Sequence, residues 1–213
     1  MLDNQADEVV SDRTIRLEEY RVFNEGYDVE GRNLKAVVSH FDDYYETELL
    51  QQYFDQITLI EKLKETRVFT GFSRIDTVND NRTQQERINE LSANVVTWLP
   101  AVEVYGEGIF LKFKDEVINS WLENVGSKND PLLNRYWASR NGTNAGRDIN
   151  SAFIMIHTFA HLLIKRLCFN CGYGSSSLRE RIYFSSDPNS RMNGVLIYTS
   201  SGDSEGSMGG LVR

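Results

Sequence analysis

Apolar residues recur at helical spacing in three stretches of this chain and at strand-like density in others. In DDYYETELLQQYFDQITLIEKLKETRV, Leu49, Leu50, Tyr53, Phe54, Ile57, Leu59, Ile60 and Leu63 mostly follow steps of three and four. That spacing predicts a helix, or two helices with a break near 56–58. DEVINSWLENV sets Val117, Ile118, Trp121, Leu122 and Val125 on one helical face. The longest apolar stretch, DINSAFIMIHTFAHLLIKRLCFNC, is apolar nearly all round and predicts a central buried helix over 148–170, with Phe153, Ile156, Leu162 and Leu163 in the core. VVTWLPAVEVYGEGIFLKF is strand-like on both sides of Gly106, Glu107 and Gly108, the pattern of a β-hairpin with a glycine turn. ERIYFSS and GVLIYTSS predict strands over 180–186 and 194–200 that pack against the long helix.

The remaining segments are less regular. RVFTGFSRI reads as a strand or extended segment around Gly71, and RTIRLEEYRVF is short, mixed and left unassigned. Residues 77–92 are polar and predict a surface loop with a helical turn. Pro131 suits the first turn of a helix, and 139–147 is a loop rich in glycine and asparagine. The expected fold class is α+β: helices with a small antiparallel sheet and a central buried helix near the C-terminus. Three regions are expected. Residues 1–12 form a disordered acidic tail, 13–127 a mixed α/β region, and 128–213 a region of its own around the long helix and its two strands.

Composition bounds the function. The 213 residues suffice for one large or two small domains, and ten Tyr, eleven Phe and three Trp argue for a packed core. There is no run of about 18 apolar residues and no signal-peptide pattern, so neither a membrane span nor export is expected, and a cytoplasmic location is. The net charge of −8 is unevenly placed, at −12 over residues 1–127 and +4 over 128–213. Overall acidity disfavours a free-standing nucleic-acid binder, because neutralising phosphates drives that affinity, although the basic C-terminal part could touch a backbone locally.

Four groups of residues are candidates for chemistry. His157 and His161 are four apart and share a helical face, close enough to share a metal. Cys168 and Cys171 follow, but Cys168 lies about 10.5 Å further along the helix axis, too far for one ion to join it to His161 unless the helix breaks. The glutamate of an HExxH motif is replaced by Phe159, so a zincin's general base is absent. The histidine pair therefore reads as hydrogen-bonding to neighbouring elements, and the CxxC as structural. Ser201, Gly202, Asp203, Glu205 and Gly206 belong to a glycine-rich junction after the last strand. Its backbone N–H groups could cradle a phosphate, but the two carboxylates would repel one and suit a helix cap, a cation or a histidine better. Arg179 and Arg181 flank Glu180 and could bind phosphate or pair with carboxylates. No P-loop, GxSxG or kinase signature is present, so no catalytic residue is assigned and no cofactor is expected.

HTFAHLLIKRLCFNCGYGSSSLRERIYFS and GVLIYTSSGDSEGSMGGLV, over roughly 150–213, resemble the MrfA-type zinc-binding domain family, a module attached to nucleic-acid helicases. Upstream, EEYRVF, LIEKLKETRVFTGFSRI and WLPAVEVYGEGIFLKF resemble, in the same order, segments of DrmB-like proteins of DISARM anti-phage systems. The resemblance implies a partner, a DrmA-like helicase subunit, with which such proteins engage DNA. The family's zinc cysteines lie after the glycine segment, beyond Arg213, so zinc is not carried over. The expectation is a truncated or split gene product whose domain a downstream polypeptide could complete. It also leaves apolar surface uncovered near 207–212. The reading is a non-catalytic accessory subunit that docks on a helicase and assists DNA binding. The alternative is a metal-dependent nuclease or hydrolase using His157, His161, Asp203 and Glu205.

Overall fold

A computed structural model describes residues 12–44, 46–69, 71–73, 88–89, 97–125, 131, 133, 135, 149–174, 176–199 and 210–212. Among them four helices and eight strands are bounded. In chain order they are α1 (Asp12–Glu25), β1 (Tyr27–Asp28), β2 (Leu34–Ser39), α2 (Thr47–Tyr53), β3 (Phe54–Val68), β4 (Phe72–Ser73), β5 (Ile88–Asn89), β6 (Ala101–Phe113), α3 (Asp115–Val125), α4 (Ser151–Cys171), β7 (Leu178–Ser185) and β8 (Met192–Thr199). Six strands form one sheet in the order β1-β2-β3-β6-β8-β7, every neighbouring pair antiparallel, while β4 and β5 pair separately. The architecture is α+β, as expected, with α4 near the C-terminal end packed on β7 and β8.

Alternation along the strands divides the core into two layers. On one face, Ile57, Leu111, Phe113, Val195 and Ile197 pack with Ile118 of α3 and with Ala152, Ile156 and Ala160 of α4. On the other, Ile60, Phe110, Tyr183, Met192 and Leu196 pack with Tyr20 and Phe23 of α1. The α1 layer is an aromatic cluster in which Tyr20–Phe110, Phe23–Tyr183 and Phe110–Tyr183 meet edge-on, with centroids 5.6, 5.8 and 5.8 Å apart. These are the favoured geometries for ring quadrupoles. RTIRLEEYRVF, unassigned from sequence, is therefore α1, with Tyr20 and Phe23 on the buried side of an otherwise polar helix.

The most buried element is β8, where seven of eight residues are buried. This corrects the expectation for α4, whose buried residues are Ser151, Ala152, Ile156 and Ala160. Leu162 lies on its outer side, 62% exposed, and not in the core. Asn150 caps α4 by accepting from the N–H groups of Ala152 and Phe153, and Gly172 ends it in the left-handed region at φ 75°. By length and composition α4 could also cross a membrane. No uninterrupted run shows this, because His157, Thr158, His161, Lys165 and Arg166 break the apolar stretch. Its packing is that of a helix laid along a sheet.

Two further expectations are corrected. The helix predicted across residues 49–63 stops at Tyr53, and Phe54–Val68 is a strand. This strand is flanked by β2 and β6 and buries residues on both faces, so its apolar positions lose the simple alternation of a half-buried strand. The hairpin predicted at Gly106–Gly108 does not form either: β6 runs straight through. Those glycines admit β8 instead. A Cβ on Gly106 would lie 1.7 Å from the Thr199 carbonyl oxygen, and one on Gly108 would lie 2.8 Å from that of Ile197.

The helix predicted over Asp115–Val125 is present as α3, and the two C-terminal strands are β7 and β8. Pro131, Leu133 and Arg135 are helical, while 139–147 and most of 77–92 lie outside the described residues, as does the tail expected over 1–12 except Asp12, which opens α1. Leu211 is buried in the α4 layer, so the apolar surface expected near 207–212 is covered at that position.

The burial pattern makes a direct prediction. Ile156→Ala should lower stability by about 2–5 kcal/mol, and Leu162→Ala should stay within about 0.5 kcal/mol of the parent, measured by urea unfolding.

Candidate functional site

Strand alternation on β7 sorts three adjacent charges onto two faces. Glu180 shares a side with Leu178, Ile182 and Phe184, all in the α4 layer. Arg179, Arg181 and Tyr183 point to the α1 side. The sequence showed an arginine–glutamate–arginine run, and the sheet pulls it apart.

On the α4 side, Glu180 meets the histidine pair. Its Oε1 lies 2.9 Å from His157 Nε2 and 3.4 Å from His161 Nε2, and the two Nε2 atoms are 2.9 Å apart. The imidazoles are four residues apart on one helical face, and the ring centroids are separated by 4.5 Å. The carboxylate's second oxygen, Oε2, is buried and without a hydrogen-bond partner. Donor atoms of His157, His161 and Glu180 all lie within 4.8 Å of one another. The pair is thus brought against a neighbouring element, β7, at the Glu180 carboxylate. Sequence reasoning missed Glu180 as the third member. The signal was available in its period-two position with Leu178 and Ile182, facing the helix.

The cysteines take no part in this group. The α4 helix is unbroken from Ser151 to Cys171, which keeps the axial separation that argued against a shared ion. Cys168 packs at the edge of the α4 layer, and Cys171 is exposed; both are free thiols.

On the α1 side, Arg181 is held by Glu19, with Nε and Nη2 donating to its two oxygens at 2.6 and 3.0 Å. Burial would lower the guanidinium's affinity for its proton, but the bond to Glu19 together with the charges and contacts of Tyr183 and Glu19 outweighs it and pushes the pKa up. The Tyr183 hydroxyl donates to the same Glu19 at 2.9 Å. Burial, and then the Glu19 charge, push the Tyr183 phenol well above its usual value. Arg179 lies 3.9 Å from Glu65, which also accepts from Arg67. Arg181 is therefore occupied within the fold, and Arg179 is the more available of the two.

The glycine segment is described only at its far end. Ser201, Gly202, Asp203, Glu205 and Gly206 lie outside the described residues, so the metal set that joined Asp203 and Glu205 to the histidines gains no support. Gly210 and Leu211 donate their N–H groups to Glu107 Oε1 at 2.9 and 2.7 Å. Glu107 is 3% exposed and sits in mid-strand on β6, and its own N–H donates to Thr199 Oγ1 at 3.1 Å. Sequence analysis placed Glu107 in a turn and so missed this tether.

No family model matches the chain. It is similar to the DISARM protein DrmB of Bacillus paralicheniformis, 36% identical over 218 residues. The match covers 99% of this chain and 37% of that protein, so the chain spans little more than a third of its relative's length.

The tyrosine shifts set a pH dependence. Folded values above the unfolded one, about 10, mean that stability is intact below that pH and is lost as pH rises through the folded values. Burial raises Tyr20 and Tyr198 in the same direction. Tyr183→Phe should cost about 1 kcal/mol at neutral pH through the lost bond to Glu19, and should flatten the loss of stability above pH 10. Urea unfolding of both proteins across pH 7–11 checks both parts.

Proposed function

As the chain is DrmB-like along nearly its whole length, we infer that it serves a DISARM anti-phage system as a non-catalytic accessory subunit. In this reading it acts in the cytoplasm, docks on a DrmA-like helicase partner and assists DNA binding by the complex. The similarity to DrmB across 99% of the chain carries the reading.

Features of the surface support a protein partner over direct capture of DNA. Phe169 and Leu162 on the outer side of α4 are 85% and 62% exposed, and Trp98 is 66% exposed beside the end of the β3–β6 ribbon. Exposed large apolar side chains that gather on one element suit a protein interface. The net charge of −8 gives the lone chain little capacity to displace counterions from DNA. Arg181, one of the two arginines considered for phosphate, is already engaged by Glu19. Contacts to DNA or partner fall in this reading to Arg179 and to the glycine segment with Ser201, Gly202, Asp203, Glu205 and Gly206.

The test is co-purification with a DrmA-like helicase, followed by DNA titration at two salt concentrations. The lone chain should bind DNA weakly and lose that binding with salt, and the helicase should strengthen it. The double variant Leu162→Asp, Phe169→Asp should lose the helicase while keeping its urea midpoint. Tight, salt-resistant DNA binding by the lone chain, or an undiminished helicase complex of the double variant, would count against the reading.

A further inference from the structure

We propose that His157, His161 and Glu180 form a binding site for a divalent transition-metal ion of the zinc class. The argument begins with protons. Each neutral imidazole carries one N–H, and here both Nε2 atoms face the same carboxylate oxygen and each other. If both Nε2 atoms are protonated, both can donate to Glu180, but two N–H groups are then pressed together across 2.9 Å. If only one is protonated, a bare nitrogen lone pair is left facing either the carboxylate or its neighbour. No allocation of protons to neutral rings gives all three short edges of the triangle a hydrogen bond. One cation satisfies all three at once, because each of the three atoms then directs a lone pair at a common centre.

The dimensions fit. Edges of 2.9, 2.9 and 3.4 Å define a triangle whose corners lie about 1.8 Å from its centre. Zinc bonds to histidine nitrogen and carboxylate oxygen are about 2.0–2.2 Å, so an ion would sit about 1 Å above the plane of the three donors. Its remaining coordination position would face away from that plane. The side chains of His157 and His161 are 44% and 64% exposed, which leaves room there for water or for a donor from another molecule.

A second observation points the same way. Glu180 Oε2 is buried with no hydrogen-bond partner. A carboxylate half-stripped of hydration is stabilised by a cation more than by a neutral imidazole. Two histidines and a carboxylate are also a donor set that zinc accepts with its fourth position open. The backbone fixes the set: the histidines are one turn apart on α4, and Glu180 stands on β7, which packs against that helix. An ion would therefore tie helix to edge strand. This site is separate from Cys168 and Cys171, and it holds whichever complex the chain serves.

The test uses the full chain, stripped of metal and titrated with Zn²⁺ and, for its visible absorption, Co²⁺. One ion per chain should bind and raise the thermal midpoint. His157→Ala, His161→Ala and Glu180→Gln should each abolish both the bound ion and the metal-dependent rise, while keeping the circular dichroism of the parent. The double variant Cys168→Ser, Cys171→Ser should bind as the parent does. The proposal is overturned if neither ion binds, if binding survives His161→Ala and Glu180→Gln, or if it is lost only with the cysteines.

Discussion

Burial of β8 on both faces is the constraint on which the rest of the structure depends. Met192, Leu196 and Tyr198 turn to the α1 layer, and Val195 and Ile197 to the α4 layer. A strand so placed cannot face water on either side, so helices must cover both faces of the sheet. Its neighbours must also come close. Gly108 on β6 pairs with Tyr198, and Gly194 on β8 leaves space for the Phe110 ring, which a Cβ there would meet at 2.9 Å. The aromatic cluster beneath α1 rests on that second concession.

Position beside this doubly buried strand decides what the side chains of β7 meet. Among the described residues it is the edge strand, paired with β8, and its side chains still alternate between two covered layers. The arginines go to one layer and are matched by acids from α1 and β3. The glutamate goes to the other and is matched by imidazoles from α4. Neighbours in sequence thus serve two unrelated environments, and a change at Glu180 need not disturb the pairing of Arg181 with Glu19.

The legible parts of the sequence were those where one period dominated. α3 has a single apolar stripe, and β7 and β8 are dense in β-branched and aromatic residues, so these elements could be read directly. β3 could not, because burial on both faces gave it apolar residues at helical and strand spacings alike; its β-branched Ile57, Thr58 and Ile60 were the better guide. The glycines of β6 misled because glycine serves both turns and close strand contacts, and only the position of β8 distinguishes them. In the candidate site the histidines were visible from their spacing. Glu180 was not, since its partnership depends on a tertiary contact between α4 and β7. The α4 helix was overestimated as a core element because apolar content does not say which residues a partner layer covers.

The Glu107 tether bears on how the glycine-rich segment is attached. The chain leaves β8 at Thr199, whose hydroxyl meets the Glu107 backbone, and returns at Gly210 and Leu211 to the Glu107 carboxylate. Departure and return are thus fastened at a single residue of the sheet. A change at Glu107 would therefore release the end of β8 and the return at Gly210 and Leu211 together, so one position on β6 governs both attachments.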